Sequence, residues 1–360
     1  MKKTKFFGTC AIALGALIAL SACGGGKSTS SSGDNASTGD KGKEKTAALI
    51  TDTGGVDDRS FNQSAWEGLQ KWGKDHKLKR GNNGFQYFQS TNESEYVPNI
   101  DQALSAGFQT IFGIGYKLKP AIEQQAKSNP DTNFVIIDDV IEGQKNVVSA
   151  TFQDNEAAYL AGIAAAYTTK SNKVGFIGGV EGDVIDRFDA GYKAGVDAGA
   201  KALNKTVEVI NQYAGDFNAP DKGKSIAQGM YSQGADIIYH ASGGTGNGVF
   251  QEAKAINESG EGSKVWVIGV DRDQSDEGKY SGGNFCLTST TKGVNIAVED
   301  LAQKSSDGKF PGGKHIVYGL KQDGVGLTDG QLDDAAKKAV DAAKKDIIDG
   351  KVKVPEHPSK

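Results

Sequence analysis

Short runs rich in β-branched and aromatic residues alternate with stretches of helical spacing, and this alternation runs twice along the 360-residue chain. The first series has strand candidates at 47–52, 85–89, 110–115, 134–138 and 147–152, with helical spacing between them at 61–76, 95–106 and 120–128. Trp66, Leu69 and Trp72 recur at i, i+3 and i+6, which is one face of a helix. The second series has strand candidates at 173–179, 207–213, 236–242, 265–270 and 285–290, and helices at 185–203, 222–233, 249–258 and 294–304. Unbroken apolar strands such as Val265-Trp266-Val267-Ile268 suit a parallel sheet covered on both faces. Two successive βαβ series predict an α/β protein of two doubly wound parallel-sheet lobes, and the body exceeds the usual size of a single core. The stretch 332–348, rich in Ala, Lys and Asp, closes the series as a helix with a solvated charged face.

The start of the chain predicts where such a body works. Lys2, Lys3 and Lys5 precede an apolar run at 11–20, and Leu20-Ser21-Ala22-Cys23 follows, with Gly24 next. A run this short cannot cross a hydrocarbon core of roughly 30 Å, so it reads as a cleavable signal peptide. Cysteine after Leu-Ser-Ala is the thiol on which bacterial lipoproteins carry their lipid, so Cys23 is the expected lipidation site. The stretch from Gly24 to Lys45 is Gly/Ser-rich and polar, a flexible tether. The expected organisation is a signal peptide at 1–22, lipidated Cys23 and linker at 23–45, lobe one at 46–152 and lobe two at 153–290. Residues 291–360 then form a hinge crossover and a segment returning to the lobes. The location expected is the cell membrane, lipid-anchored and facing away from the cytoplasm.

Composition removes several classes of function. Acidic residues (45) outnumber basic ones (41) and no basic stripe carries interleaved aromatics, which argues against nucleic-acid binding. Once Cys10 leaves with the signal and Cys23 is lipidated, only Cys286 remains, in the apolar run Asn284-Phe285-Cys286-Leu287. It reads as a buried small hydrophobe. With four histidines and no Cys/His cluster, neither a metal nor a cofactor is implied. No serine or cysteine partner is identified for His240 by spacing, so nothing points to an enzyme.

Open parallel sheets bind ligands beyond the carboxyl ends of their strands. Those ends here are polar in a recurring way: Asp52, Asp138-Asp139, Ser242-Gly243-Gly244 and Asp271. Their recurrence in both series predicts a ligand cleft between the lobes. The loop Asp52-Thr53-Gly54-Gly55-Val56-Asp57-Asp58-Arg59-Ser60-Phe61-Asn62 is the densest polar segment, with Ser60 as the expected N-cap of the following helix. Phe61 either enters the cleft or staples the loop from beneath. Asn62 offers both a donor and an acceptor. An acidic calcium loop of the nucleoside-hydrolase type would require carboxylates where Thr51 and Thr53 stand, too few oxygen ligands for calcium. Gly243-Gly244-Thr245-Gly246 lacks the Lys-Ser/Thr of a phosphate loop and reads as a turn that lets a neutral ligand approach the backbone. Lys292 follows the strand at 285–290, at the same carboxyl edge.

These segments resemble the basic membrane protein family of substrate-binding lipoproteins, which includes purine-nucleoside receptors of ABC importers. The resemblance rests on Asp58-Arg59-Ser60-Phe61-Asn62-Gln63, the strand at 134–138, Glu156-Ala157-Ala158-Tyr159-Leu160-Ala161-Gly162 and Val174-Gly175-Phe176-Ile177-Gly178-Gly179. It continues with Phe188-Asp189-Ala190-Gly191-Tyr192, Gly243-Gly244-Thr245-Gly246 and Ile268-Gly269-Val270-Asp271-Arg272-Asp273-Gln274, in family order. It implies a type I periplasmic-binding-protein fold whose two hinged lobes close on a ligand, with an ABC permease as partner; a monomer is the default expectation. It also implies roles. Phe61 would stack on the base with Asn62 beside it, and Asp52 and Asp139 would accept from base N–H groups, with Asp138 the rival of Asp139. Asp271 and Lys292 would meet the ribose, against the backbone of Gly243, Gly244 and Gly246. Phe188 is the expected second aromatic wall, with Phe217 and Tyr239 as alternatives. One departure stands out: Glu181-Gly182-Asp183 replaces a proline common in relatives. The other readings are a sugar or polyol receptor of the same fold and a nucleoside-cleaving enzyme.

Overall fold

The computed structural model describes residues 45–260 and 262–358. The signal peptide, Cys23 and nearly all of the linker expected from the sequence lie outside them. The body opens with β1 (Ala47–Ile50), α1 (Phe61–Asp75), β2 (Phe85–Phe88), α2 (Tyr96–Ser105), β3 (Thr110–Gly113), α3 (Lys119–Ser128), β4 (Asn133–Ile137) and β5 (Val147–Phe152). A crossover helix, α4 (Asp154–Thr168), leads to β6 (Lys173–Gly178), α5 (Asp183–Ala202), β7 (Glu208–Tyr213), α6 (Pro220–Ser232), β8 (Ile237–Ala241), α7 (Gly246–Ser259) and β9 (Trp266–Gly269). A short hairpin of β10 (Lys279–Tyr280) and β11 (Gly283–Asn284) precedes β12 (Cys286–Lys292). The chain ends with α8 (Val294–Ser306), β13 (His315–Tyr318), β14 (Val325–Leu327) and α9 (Asp334–Ile348).

Two six-stranded sheets result, in the orders β2-β1-β3-β4-β5-β13 and β7-β6-β8-β9-β12-β14. All pairs in the first are parallel, and in the second only β14 runs antiparallel. This is the doubly wound architecture predicted from the alternation. The chain crosses between the sheets three times: through α4, through α8 to β13, and from β13 to β14. Helix α8 packs on α1 of the first lobe, and α9 packs on α4. No helix among the described residues is long and apolar enough to cross a membrane.

Helix α4 was not expected from spacing, and its burial explains why. Ala157, Ala158, Leu160, Ala161, Ala164, Ala165 and Ala166 are all buried, so apolar residues surround the helix and no amphipathic stripe marks it. It packs against α5 backbone to backbone. A Cβ added at Gly162 would lie 2.2 Å from the Tyr192 carbonyl oxygen, and one at Gly195 would lie 2.1 Å from that of Tyr159. The two helices approach this closely because glycine stands at both contacts. Gly195→Val should therefore cost at least about 2 kcal/mol, because the added methyls push the helices apart. Urea unfolding checks this, and an unchanged midpoint would contradict the packing account.

Candidate functional site

The carboxyl ends of β1, β4, β8, β9 and β12 converge on a cavity between the lobes with about 560 Å³ of empty space. Lobe one contributes Asp52, Phe61, Asn62, Tyr116 and Asp138 to its walls; lobe two contributes Phe188, Phe217, Gly243, Asp271 and Lys292.

The electrostatic centre is the Lys292 ammonium, 3% exposed at the end of β12. Its Nζ lies 2.7 Å from Asp138 Oδ2 and 3.1 Å from Asp154 Oδ1, and Arg187 Nη2 binds the other Asp154 oxygen at 3.2 Å. The rings of Phe152, Phe61 and Phe188 lie 5.1, 5.3 and 5.6 Å from the same nitrogen. Burial opposes the lysine's charge, and Asp138, Asp154 and Asp271 outweigh it, so its pKa stands above the ordinary lysine value. Asp138 is pushed upward, chiefly by burial, with Lys292 opposing. Its Oδ1 is buried, makes no hydrogen bond within the protein, and belongs to a side chain lining the cavity.

Asp138 and Asp271 occupy equivalent places, one residue after β4 and two after β9, and both adopt φ 69°. A left-handed backbone at a non-glycine residue is strained. Here it turns each carboxylate into the cleft. The sequence placed Asp139 in the site with Asp138 as its rival; Asp138 lines this cavity, whereas Asp139 lines a neighbouring pocket and pairs with Lys119 at 2.8 Å. One residue is enough to reverse the direction of a side chain at a strand end.

Other expectations are refined in the same way. Phe61 lines the cavity and is also packed against the core cluster, so it serves the wall and the core together. Ser60 occupies the N-cap position of α1 without capping it; its hydroxyl donates across the cleft to Asp271 Oδ2. Asp58 does the capping. Its Oδ1 accepts from the N–H of Ser60 (2.8 Å) and Gln63 (3.1 Å), and its Oδ2 accepts from the N–H of Asn62 (2.9 Å). Asp58 carried no assigned role in the sequence, because it stands two residues before the N-cap position where a capping side chain is normally sought. Of the three glycines singled out, only Gly243 reaches the cavity. Gly244 packs beneath Phe217 and Asn218, and Gly246 accommodates the ring of His240, to which an added Cβ would come within 2.1 Å. Phe188 and Phe217 both line the cavity, whereas Tyr239 is fully buried behind it and bonded to Thr290 at 2.9 Å. Asp154 reaches Lys292 from the first turn of α4, and Arg187, from the second turn of α5, pairs with Asp154, a convergence with no spacing signature.

The lobes also touch directly, almost always at the β1–α1 loop. Besides Ser60 and Asp271, Gln274 Nε2 donates to the Arg59 carbonyl (2.9 Å), Asn247 Nδ2 to that of Asp58 (3.2 Å) and Asn218 Nδ2 to that of Thr53 (3.3 Å). Arg59 pairs with Glu277, and Arg272 with Glu67 at 3.1 Å.

Burial raises Asp271 from an ordinary value of 3.8 to about 7, with Lys292 and the Ser60 hydroxyl opposing, and raises Asp52 to about 6. Below pH of about 4 the Asp271 carboxyl is protonated whether folded or not, and its burial then costs little. Between about pH 4 and 7 the unfolded chain ionises while the folded chain resists, so folding loses free energy progressively; above about 7 the loss is complete. Asp271→Asn keeps an acceptor for Ser60 and removes the titration. Its stability relative to the parent, in ligand-free urea unfolding, should rise from about pH 4 to 7 and then level off. A gap independent of pH would contradict the burial account.

The family model Bmp, described as ABC transporter substrate-binding protein PnrA-like, matches residues 45–358. The ABC transporter nucleoside-binding protein BmpA of Lactococcus lactis subsp. cremoris is 51% identical, over 98% of this chain and 99% of that protein. The CD4+ T-cell-stimulating antigen of Listeria monocytogenes is also 51% identical, over 99% of this chain and all of the other. Among solved structures, an ABC transporter solute-binding protein of Aeropyrum pernix K1 superposes with TM-score 0.76 at 26% identity, covering 88% of this chain and 94% of that one.

Proposed function

The chain belongs to the Bmp family of PnrA-like ABC transporter substrate-binding proteins, and on that footing we propose that its cleft captures a purine nucleoside and presents it to an ABC import permease. The observation that carries this reading is the distribution of chemistry within one cavity. Phe61, Phe188 and Phe217 supply flat apolar surface, Asp52 lies at the lobe-one end, and Asp138, Asp271 and Lys292 cluster where the lobes meet. A base wants aromatic faces, worth roughly 1–3 kcal/mol per stacked base. Vicinal hydroxyls want charged acceptors, at roughly 1.5–3 kcal/mol for each charge-assisted bond. Carboxylates at both ends repel phosphate, which favours nucleosides over nucleotides. The 51% identical relative named as a nucleoside-binding protein supports the same ligand class.

In this reading the site binds without bond cleavage. His240 lies behind the cavity wall, its Nε2 hydrogen-bonded to Gln274 at 3.1 Å, and burial lowers its pKa to about 4, so it stays neutral. Ligand held between the lobes favours their closed arrangement, the form a permease recognises. Lipid on Cys23 and the linker behind it would keep the receptor at the outer face of the membrane, free to turn toward its partner.

Native mass spectrometry of purified, undialysed protein should show a co-purifying nucleoside. In titration calorimetry, Phe61→Ala and Asp271→Ala should each weaken nucleoside binding at least tenfold, or about 1.4 kcal/mol. Unchanged affinity in both would remove these residues from the site. Competition by free ribose, with no effect of guanosine or adenosine, would replace the nucleoside reading with a sugar receptor.

A further inference from the structure

Asp52 reaches the cavity with one oxygen committed and one free. Its Oδ1 accepts from the Gly54 N–H at 2.8 Å and from Asn62 Nδ2 at 2.7 Å, while Oδ2 has no hydrogen-bond partner among the described residues. The amide of Asn62 is itself held. Its Nδ2 also donates to Asp58 Oδ2 at 3.0 Å, and its Oδ1 accepts from the Asp52 N–H at 3.3 Å. Turning that amide over would set its oxygen against two carboxylate oxygens, so its orientation is fixed. Gly54 closes the arrangement: a Cβ there would lie 2.8 Å from Asn62 Nδ2, 3.3 Å from Asp52 Oδ1 and 3.4 Å from Asp58 Oδ2. On the other side, the Cβ position of Gly115 is 3.5 Å from both Asp52 Oδ2 and the Phe61 ring. The free oxygen therefore lies beside the ring, where the edge of a stacked base would come.

We propose that Asp58, acting through Asn62, fixes Asp52 as an acceptor-only reader of the base edge, so that the cleft ranks guanosine above inosine and adenosine. This rests on the nucleoside reading above. The amide hydrogens of Asn62 are both spent on carboxylates, so on this side of the Phe61 ring it is the carboxylate oxygen Asp52 Oδ2, and not the Asn62 amide, that is free to meet a base. Guanine presents adjacent, nearly parallel N1–H and N2–H donors, which one acceptor oxygen can share in a three-centre bond. Hypoxanthine presents N1–H alone, and adenine sets its N6–H beside an acceptor nitrogen, which faces the carboxylate unfavourably. A site built to accept hydrogen bonds discriminates strongly against a ligand lacking the donor, because the buried acceptor is left unpaired. Asp58 is the positioning residue and Asp52 the one that touches ligand.

Titration calorimetry with guanosine, inosine, adenosine and N1-methylguanosine tests this on the unaltered protein. Guanosine should bind at least about tenfold more tightly than inosine, and N1-methylation should abolish the advantage. Asp52→Asn gives a sharper result. The two donors at the Oδ1 position hold the introduced amide oxygen there, so its NH2 faces the base and the ranking inverts toward inosine and adenosine. Asp58→Ala frees the Asn62 amide and should narrow the guanosine-to-inosine ratio. A purely helix-capping role would lower thermal stability and all affinities together, leaving that ratio intact, and such a result overturns the relay. Equal affinity for guanosine and inosine on the unaltered protein overturns the proposal while leaving nucleoside capture standing; no nucleoside binding at all overturns both. Should Asp52→Asn fail to fold in a thermal melt, the comparison of ligands on the unaltered protein decides the matter.

Discussion

A buried ammonium governs the geometry of this molecule. Lys292 ends a strand of lobe two, and its charge survives burial because Asp138 from lobe one and Asp154 from the crossover helix share it. Removing one member of such a group leaves an uncompensated charge in a low-dielectric setting, which is far more costly than never having built it. The three elements that meet there are thus committed to one relative placement. The rings of Phe61, Phe152 and Phe188 gather around the same nitrogen. The site follows from this constraint: wherever the lysine sits, the cleft floor must be.

Around that floor, the lobes contribute unequally. Lobe two approaches with several separate loops, and nearly all of them end on the single loop between β1 and α1. That loop also carries Asp52 and Phe61. Closure and recognition are therefore written largely in one segment, and most hydrogen bonds between lobes end beside residues that line the cavity. Ser60 shows the coupling most directly, since its hydroxyl is spent on Asp271, a carboxylate lining the cavity from the opposite lobe.

Much of this was legible in the sequence. The strands announce themselves by β-branched runs, and the polar residue closing each run marks the ligand edge; Asp52 and Asp271 were found that way. What stayed hidden has physical causes. Helix α4 is apolar on all sides, so periodicity is silent. Asp138 and Asp139 are adjacent, and only the left-handed backbone at the first decides which turns inward. Asp154 and Arg187 act through contacts between elements far apart in sequence. The Asp58 cap was masked by a serine standing in the expected place with its hydroxyl engaged elsewhere. The roles of the aromatic residues came from family resemblance, because an aromatic ring in a helix's first turn is as consistent with a staple as with a wall.

The three passages of chain between the sheets have a consequence for how the molecule comes into being. Neither lobe is a continuous piece of polypeptide. The first sheet lacks its outer strand, and α1 lacks its packing partner, until residue 318 has been made. Nor can the second sheet complete its edge before β14. Sequence-distant pairings of this kind are slow to form, because the entropy of closing long loops is lost before the contacts compensate for it. A chain emerging from its amino terminus therefore cannot mature one lobe and then the other; both wait for β13 and β14, and the cleft between them forms only once those strands have been made.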